Sequence, residues 1–501
     1  MRPMPSEVLF RLKLEQATRL EAGAEEYLIP SSPGAAELAD SAPKFAAWLS
    51  GQLQAGLVAC RGLVVAVAKP ATGSRPVAVW GFAERVTYRA LTDLLMTEAK
   101  HEMDRSSEGY QAFAYAPLTY GRTRGTRAGA TGSSDLRWPE NTVVQYVVKA
   151  DIASFYDYID HDILGRELLL RAQEHAAIEC LLELLLEVQG RRYGLPQLLE
   201  PSDRLSDLYA GRVLRALHRR QWAAWRYNDD FRIAAETFED AKRALDDLAA
   251  AARDNGLVLN ESKTRTPSFA TYWEENEVPD YVDDAENTDP QWALDTLSST
   301  VTPRDLAAGK VSAAVINLHE ADRAAIRTIR RALIRLSDSE EPRGIAVMPK
   351  MEHIVAFVPS ATPYVLRYLR AMVELDRTAV TRTVAAIATD ISLSDWQRLC
   401  LIRAIRELRL VDADPFLAWV MTHRAQRFEP AVRAEAALAL AEANEIEAQG
   451  VIRSLDEEPS ALATWYLMAL RRLFQHGAVP RETHDAVRDE NGLHAAMLIQ
   501  A

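Results

Sequence analysis

Two adjacent carboxylates stand in the most informative segment of this sequence. Asp229 and Asp230 end the run Tyr227 to Asp230, which lies between two runs of alternating apolar residues. This pattern predicts a strand, a tight turn and a returning strand, with the Asn-Asp-Asp corner at the turn. Neighbouring carboxylates repel one another unless a cation lies between them, so the predicted hairpin suits a divalent metal ion.

A third carboxylate follows a strong strand signal further upstream. Asp151 ends the run Val143 to Asp151, and a long helical pattern begins near His161. An Asp at the end of a buried strand, beside a hairpin with two more, is the arrangement that two-metal nucleotidyl transfer requires. Each motif alone also has an ordinary explanation, a solvated turn for the pair and a helix cap for Asp151. Their combination favours the chemical explanation.

The order of the motifs resembles that of bacterial reverse transcriptases, over roughly residues 60 to 265. Five segments carry the resemblance: the fingers segment within 68–76, the first palm motif 151–161, a Gly-Leu-Pro-Gln turn at 194–197, the Tyr-x-Asp-Asp hairpin at 227–230 and a Gly-Leu, Leu-Asn, Lys-Thr segment at 256–264. The resemblance implies a right-hand polymerase with fingers and palm. It also implies an enzyme, an RNA-directed DNA polymerase or deoxynucleotidyltransferase.

The resemblance assigns the catalytic and metal-binding roles to the three carboxylates. Asp151 and Asp229 are expected to hold two Mg²⁺ ions, which prefer oxygen ligands, and Mn²⁺ is the alternative ion. Asp230 is expected to share or tune the site, and Ile152 to add its backbone carbonyl.

The nucleotide-binding residues are also implied by the resemblance, and they are Lys69, Arg75, Phe155, Tyr156, Gln197 and Lys263. Lys69 and Arg75 offer cations to a triphosphate. Tyr156 stands where reverse transcriptases place an aromatic ring under the sugar, which leaves no room for a 2′-hydroxyl and selects deoxynucleotides. The alternative for Tyr156 is an ordinary core aromatic. Gln197 is expected beside a base, and Lys263 near the leaving pyrophosphate.

Two positions depart from the family pattern. Leu198 and Leu199 follow the Gly-Leu-Pro-Gln turn where many relatives have Gly, which removes backbone freedom where a template base or nucleotide packs closely. Asn228 replaces the Ala, Val or Met of many relatives, and Asn tolerates left-handed turn geometry. The first departure puts template handling in question, and neither indicates lost activity.

Composition sets the outer bounds. The 501 residues are 48% hydrophobic, which allows two or more domains with sizeable cores. Three widely separated cysteines argue for a reducing, cytoplasmic environment, and no apolar run reaches the ~18 residues of a membrane span. The net charge is −13, but residues 191–226 hold eight Arg against three acids, which predicts a local basic face. The Gly-rich loop 122–127, with three further Arg, is a weaker candidate for nucleic-acid contact.

The predicted domains are four consecutive segments. They are a helical N-terminal extension at 1–60, fingers and palm at 61–270, an acidic linker at 271–300 and an α-helical repeat domain at 301–501. The last prediction depends on residues 428–440, which have the character of a HEAT-like repeat, and an unspecific helical bundle is equally consistent. The expected fold class is therefore an α+β polymerase palm and fingers followed by an all-α helical repeat domain.

This architecture resembles the abortive-infection and defence-associated reverse transcriptases of bacteria. The resemblance implies anti-phage defence, synthesis that is protein-primed and untemplated, and a homo-oligomer. The expected partners are deoxynucleoside triphosphates and a DNA product, with an RNA template if synthesis is templated. Two alternatives stay open: a templated RNA-directed DNA polymerase of retron or intron type, and a non-catalytic nucleic-acid-binding scaffold.

Overall fold

The fold is taken from a computed structural model, which describes residues 1–24, 28–70, 73–97, 103–124, 142–277, 289–307, 315–339 and 342–498. Most of these residues are helical, and the strands form one three-stranded and two two-stranded sheets. The chain folds into two compact units. The first unit comprises residues 1–12, 54–59 and 88–284, and the second comprises 13–53, 60–87 and 285–501.

The elements up to the acidic segment, in chain order, are as follows. The helices are α1 (Ser6–Leu9), α2 (Leu14–Ala22), α3 (Ala35–Asp40), α4 (Ala42–Ala55), α5 (Phe82–Met96), α6 (Ser107–Thr123), α7 (His161–Ala172), α8 (His175–Gln189), α9 (Glu200–Arg219), α10 (Phe238–Arg253) and α11 (Phe269–Glu277). The strands are β1 (Leu63–Ala68), β2 (Ser74–Val79), β3 (Tyr146–Asp151), β4 (Ala223–Tyr227) and β5 (Asp230–Ala235), and a 3₁₀ turn covers Phe155–Tyr158.

The three-stranded sheet is the centre of the first unit. Its strand order is β3-β5-β4, and both pairings are antiparallel. Because side chains alternate along a strand, Val147, Ala234 and Ala223 share one face, where Phe269 and Leu118 cover them. Helices α9 and α10 also pack against this sheet. Helices therefore hold the sheet in place and leave its turn end to carry polar residues.

The second unit contains the antiparallel hairpin β1-β2, helices α2, α3 and most of α4, and the described helices that follow the acidic segment. The latter helices are α12 (Pro290–Ser298), α13 (Pro303–Ala307), α14 (Arg323–Ser339), α15 (Met351–Phe357), α16 (Thr362–Met372), α17 (Arg377–Asp390), α18 (Asp395–Glu407), α19 (Phe416–Thr422), α20 (Pro430–Glu442), α21 (Ala448–Glu457), α22 (Ala463–Gln475), α23 (Arg481–Arg488) and α24 (Gly492–Met497). Strands β6 (Thr300–Val301) and β7 (Ile316–Asn317) pair in parallel, and 3₁₀ turns cover Leu318–Glu320, Pro342–Lys350, Pro359–Ala361 and Ser460–Leu462.

Alternate helices of the second unit pack in a single row. Helix α12 packs on α14, α14 on α16, α16 on α18, α18 on α20 and α20 on α22. The short helices α15, α19 and α21 lie beside this row, each against a neighbouring helix. The predicted helical character of the region after residue 300 is confirmed.

The two units are each built from separate stretches of the chain, whereas the predicted domains were continuous segments. Helices α11 and α12 occupy the two ends of the predicted linker 271–300, and residues 278–288 between them lie outside the described part of the chain. The bounds of the four predicted domains stay predictions.

Candidate active site

The Tyr-x-Asp-Asp segment forms the predicted hairpin. Strands β4 and β5 are joined by the two-residue turn Asn228-Asp229, and Tyr227 is paired with Asp230 across the turn. Asn228 has a φ of 50°, in the left-handed region that Asn adopts more readily than most residues. The unusual residue at this position therefore fits the turn that it has to make.

The three carboxylates meet at the turn end of the sheet. Asp151, the last residue of β3, lies directly opposite Asp230 on β5. The Ile152 backbone N–H donates to the Asp229 carbonyl over 3.1 Å, which fixes the end of β3 against the turn. One carboxylate oxygen from each of Asp151, Asp229 and Asp230 lies within 4.8 Å of the others. The predicted juxtaposition of the three side chains is confirmed.

Asp151 is held by residues that follow the hairpin by about thirty positions. The Lys263 Nζ lies 2.6 Å from Asp151 Oδ1, and the Asn260 Nδ2 donates to Oδ2 over 3.0 Å. The Asn260 backbone N–H donates to the Asp151 carbonyl over 2.7 Å. Asp151 is 4% exposed, so these contacts satisfy a carboxylate that has lost most of its water. The Leu-Asn, Lys-Thr segment therefore contributes directly to the site.

Burial and the mutual repulsion of the three carboxylates make it unfavourable for all of them to be negatively charged without a cation. Burial, followed by the charges of Asp151 and Asp230, raises the pKa of Asp229 to about 6. Burial also raises the pKa of Asp230, against the opposing effect of Arg232, whose Nη1 lies 3.7 Å away. Three close carboxylate oxygens are the donors that Mg²⁺ and Mn²⁺ prefer, so the residues present fit a divalent cation.

Tyr156 and Phe155 lie on the 3₁₀ turn that follows β3. Phe155 is 2% exposed and packs edge-on against Tyr156, with ring centroids 5.5 Å apart. Tyr156 is half-buried, and its hydroxyl donates to Asp203 Oδ1 over 2.6 Å. Their predicted contacts with a nucleotide stay predictions.

The Gly-Leu-Pro-Gln turn is tied to the same 3₁₀ segment. The backbone N–H of Leu195 donates to the Tyr156 carbonyl over 2.8 Å, and the Gln197 Nε2 donates to Asp157 Oδ1 over 3.2 Å. Gly194 has a φ of 87°, and a Cβ there would lie 3.1 Å from the Asp157 carbonyl oxygen, so this turn needs glycine. The predicted turn into α9 is confirmed, while the role of Gln197 beside a base stays a prediction.

Leu198 has a left-handed backbone although it is not glycine. Its φ is 70°, and its side chain is 38% exposed. A left-handed conformation costs an L-residue other than Gly or Asn about 1–2 kcal/mol. Position 198 therefore adopts the left-handed backbone conformation that suits Gly, and the leucine found there is strained.

Lys69 and Arg75 lie on the β1-β2 hairpin of the second unit. Arg75 is paired with Val67 on the opposite strand, and the Lys69 backbone N–H donates to the Gly73 carbonyl over 3.0 Å. Lys69 is exposed and Arg75 half-buried. Their roles toward a triphosphate stay predictions, as do the role of Lys263 near pyrophosphate and that of the Ile152 carbonyl as a metal ligand.

The sequence did not single out a second polar cluster beside Tyr156. It contains Arg105, Asp203, Asp207 and Arg226, linked by ion pairs of 2.9 to 3.3 Å. Asp203 and Asp207 are four residues apart on α9, a spacing that places them on one face of the helix. The spacing of the two acids could therefore have been recognised in the sequence. The contact with Arg105 could not, because Arg105 lies nearly a hundred residues away and reaches the acids only in the folded chain.

The basic run at 191–226 is largely paired within the first unit. Five of its eight arginines form ion pairs with acidic side chains: Arg204, Arg212, Arg215, Arg220 and Arg226. The expected basic face is therefore weaker than the sequence count indicates. Of the candidate loop 122–127, residues 125–127 lie outside the described residues.

None of the helices described here combines the length and apolar character needed to cross a membrane.

Comparisons with known proteins identify part of the chain. Residues 67–286 match the family described as reverse transcriptase (RNA-dependent DNA polymerase). No curated protein matches the chain.

Three solved structures of telomerase resemble the fold at low identity. Telomerase from Candida albicans in complex with a telomeric RNA fragment is 11% identical, with 73% of this chain and 64% of that one covered and a TM-score of 0.30. Telomerase from Candida tropicalis with such a fragment is 12% identical (72% and 64% covered, TM-score 0.31), and its apo form is 12% identical (81% and 68%, 0.30). The chain thus spans 64% of the length of the first two telomerase chains.

Proposed function

Starting from the reverse transcriptase domain that residues 67–286 contain, we propose that the protein is a DNA polymerase of reverse-transcriptase type that transfers deoxynucleotides by a two-metal mechanism. The observation that carries the proposal is the meeting of Asp151, Asp229 and Asp230, whose carboxylate oxygens lie within 4.8 Å of one another. Asp151 and Asp230 lie on two paired strands and Asp229 lies in the adjoining turn. Backbone hydrogen bonds fix these segments against one another, which gives the preorganisation that phosphoryl transfer needs.

The reaction joins a hydroxyl oxygen to the α-phosphorus of a deoxynucleoside triphosphate and releases pyrophosphate, while the hydroxyl proton is lost to solvent. Two divalent cations would supply Lewis-acid chemistry at the attacking oxygen and neutralise charge on the phosphates. Asp151 and Asp229 would hold them, with Asp230 sharing the site and the Ile152 carbonyl as a further ligand. Lys263, which pairs with Asp151, would donate charge or a proton toward the leaving pyrophosphate.

The residues around the carboxylates would bind and select the nucleotide. We assign Tyr156 as the ring under the sugar, which excludes ribonucleotides by contact with a 2′-hydroxyl. Gln197 and Phe155 would line the base and sugar, and Lys69 and Arg75 would bind the triphosphate.

The cellular role we propose is bacterial anti-phage defence by protein-primed, untemplated DNA synthesis in a homo-oligomer. Its support is the resemblance to defence-associated reverse transcriptases. The row of alternate helices α12 to α22, in which each helix packs on the next, also supports it, because the helical repeat domain that we propose would be built from such nearest-neighbour contacts. Light scattering on the purified protein tests the oligomer, with an expected mass of at least twice 55.8 kDa. A mass of one chain at every concentration would contradict it.

Templated synthesis on RNA is the second candidate. The description of the matching family, RNA-dependent DNA polymerase, favours it. The non-catalytic scaffold is disfavoured because all three carboxylates are present and meet at one place.

The decisive experiment incubates the purified protein with Mg²⁺ or Mn²⁺ and each labelled deoxynucleotide, with and without added RNA, and sequences the product. We expect incorporation by the parent and a loss of at least about 100-fold in Asp229→Asn, which removes one ligand charge without changing the size of the side chain. Asp246→Asn, an exposed carboxylate on α10, is the matched control and should keep full activity.

The outcome separates the candidates. A product whose sequence follows the added RNA supports templated synthesis, and a product that forms without RNA supports the untemplated enzyme. No incorporation under any condition, or equal incorporation by Asp229→Asn, would overturn the polymerase proposal.

A further inference from the structure

Tyr156 is fastened at both ends. Its backbone carbonyl accepts the Leu195 N–H over 2.8 Å, and its hydroxyl donates to Asp203 Oδ1 over 2.6 Å. The Arg105 Nη1 and the Ser206 Oγ each lie 3.4 Å from the same hydroxyl oxygen. A ring held by its backbone on one side and by its hydroxyl on the other cannot swing without breaking a charge-assisted hydrogen bond.

Arg105 links the acceptor of that bond to a second carboxylate. Its Nη1 lies 3.3 Å from Asp203 Oδ1, and its Nη2 lies 2.9 Å from Asp207 Oδ1 and donates to the Asp203 carbonyl over 2.9 Å. Asp207 is 6% exposed and is also paired with Arg226 over 3.2 Å. Each of the two acids is thus paired with at least one arginine, which offsets the cost of burying a carboxylate.

The protonation of the groups fits this arrangement. Burial raises the pKa of Tyr156, so its hydroxyl stays protonated and can donate. Burial also raises the pKa of Asp203, while the Arg105 charge and the Tyr156 hydrogen bond oppose that rise. Asp203 is therefore an acceptor whose negative charge depends on Arg105.

The same cluster reaches the carboxylate hairpin. Arg226 Nη1 donates to the Asn228 carbonyl over 2.8 Å, and the Tyr227 hydroxyl donates to the Arg105 carbonyl over 2.8 Å. One set of contacts therefore sets the position of the Tyr156 ring and of the turn that carries Asp229. A substitution that moves the Tyr156 ring is therefore expected to shift the turn that carries Asp229 as well.

We propose that Asp203 and Arg105 are positioning residues for sugar selection: they fix the Tyr156 ring through its hydroxyl and so determine how strongly ribonucleotides are rejected. The inference rests on the proposed role of Tyr156 in sugar selection. A ring held in one position clashes with a 2′-hydroxyl, whereas a ring that can tilt moves aside and accommodates it. The hydroxyl of Tyr156 thus acts without touching the substrate.

The test compares kcat/KM for a deoxynucleotide and for the matching ribonucleotide in the full chain. Tyr156→Phe keeps the ring and removes its tether, and Asp203→Asn keeps the shape of the acceptor and removes its charge. We expect each to lower the discrimination ratio about tenfold, since one charge-assisted hydrogen bond is lost. The ratio should fall because ribonucleotide use rises relative to deoxynucleotide use in the same variant.

Two further variants sharpen the measurement. The double variant Tyr156→Phe/Asp203→Asn should discriminate no worse than either single variant, because both remove the same bond. Glu200→Gln, an exposed acid on the same helix that pairs with Arg89, is the charge-matched control and should leave the ratio unchanged. Melting temperatures of all variants report on a purely structural loss, and Tyr156→Phe, which leaves no buried charge unpaired, stays informative if Asp203→Asn unfolds.

The outcomes distinguish this inference from the proposal beneath it. An unchanged ratio in Tyr156→Phe and Asp203→Asn, with Tyr156→Ala accepting ribonucleotides, would overturn the positioning role alone. If Tyr156→Ala discriminates as well as the parent, both the assigned role of Tyr156 and the positioning role are wrong. If Asp229→Asn is as active as the parent, the polymerase proposal and this inference fall together.

Discussion

At the scale of single residues, the site is a balance between like charges and the few cations that offset them. Asp151, Asp229 and Asp230 repel one another, and Lys263 and Arg232 are the cations in contact with them among the described residues. The ammonium of Lys263 contacts an oxygen of Asp151 that a bound metal ion would also use as a ligand. Metal binding and the Lys263 contact should therefore compete.

Removing Lys263 should make the protein depend more strongly on divalent ions. Without Mg²⁺, we expect Lys263→Gln to lower the free energy of unfolding by about 1–2 kcal/mol, because the carboxylates lose a counter-charge. With Mg²⁺, the variant should recover most of that loss. Thermal unfolding with and without Mg²⁺ measures both effects, and Lys242→Gln on α10 is the control. Equal Mg²⁺-induced shifts in the variant and the parent would contradict the competition.

Leu198 stores strain that a glycine would release. Leu198→Gly should relieve a backbone strain of about 1–2 kcal/mol, because Gly adopts positive φ freely. It should also cost about 0.5–1 kcal/mol, because Gly loses more conformational entropy on folding. We therefore expect the variant to be equally or slightly more stable than the parent. Leu198→Val should be less stable than the parent by about 1 kcal/mol or more, since β-branched residues tolerate positive φ poorly. Urea unfolding measures the difference. A glycine variant clearly less stable than the parent would show that the side chain contributes more than the strain removes.

At the scale of elements, buried polar links join the helices that carry each unit. In the second unit, the Glu435 carboxylate on α20 accepts from Arg406 Nε on α18 over 2.9 Å and from Trp465 Nε1 on α22 over 2.8 Å. Glu435 is fully buried, and it connects three successive helices of the row. The row therefore depends on a specific polar contact as well as on apolar packing.

Breaking that link should destabilise the second unit severely. We expect Glu435→Ala to cost about 3–5 kcal/mol, because Arg406 is left buried with one fewer partner and the Trp465 N–H with none. Glu435→Gln keeps the shape and should cost less. Glu445→Ala, an exposed acid after α20, should change stability by less than about 0.5 kcal/mol. Chemical denaturation followed by tryptophan fluorescence compares the three, and a small loss in Glu435→Ala would mean that water replaces its contacts.

At the scale of the whole molecule, the net charge is acidic, and the most basic run of the chain is largely paired with acids. The net charge is −13, and five arginines of the most basic run are paired with acids. The salt dependence of nucleic-acid binding follows the number of phosphates that Lys and Arg side chains neutralise, because each such contact releases counterions from the nucleic acid. Binding should therefore involve few phosphates.

The salt dependence of nucleic-acid binding tests this expectation. We expect the logarithm of the association constant to fall with the logarithm of salt concentration with a slope of magnitude below about 4 for a single strand, which corresponds to roughly six phosphates. Fluorescence anisotropy at constant Mg²⁺ and varied KCl measures it. A slope of magnitude near 8 would mean that the paired arginines leave their acids to bind phosphate.

The sequence by itself determined the chemistry of the site and the elements that carry it. The hairpin at 227–230, the strand ending in Asp151, the turn at 194–197 and the helical region after residue 300 follow from short-range patterns, because turn preference and apolar periodicity are local properties. The order of the motifs then predicted the meeting of the three carboxylates. Tertiary structure alone decided that Lys263 pairs with Asp151, how Arg105 and Asp203 hold Tyr156, and how the chain divides into two discontinuous units. These depend on contacts between residues from about fifty to more than a hundred positions apart, which packing selects and which no local pattern in the chain encodes.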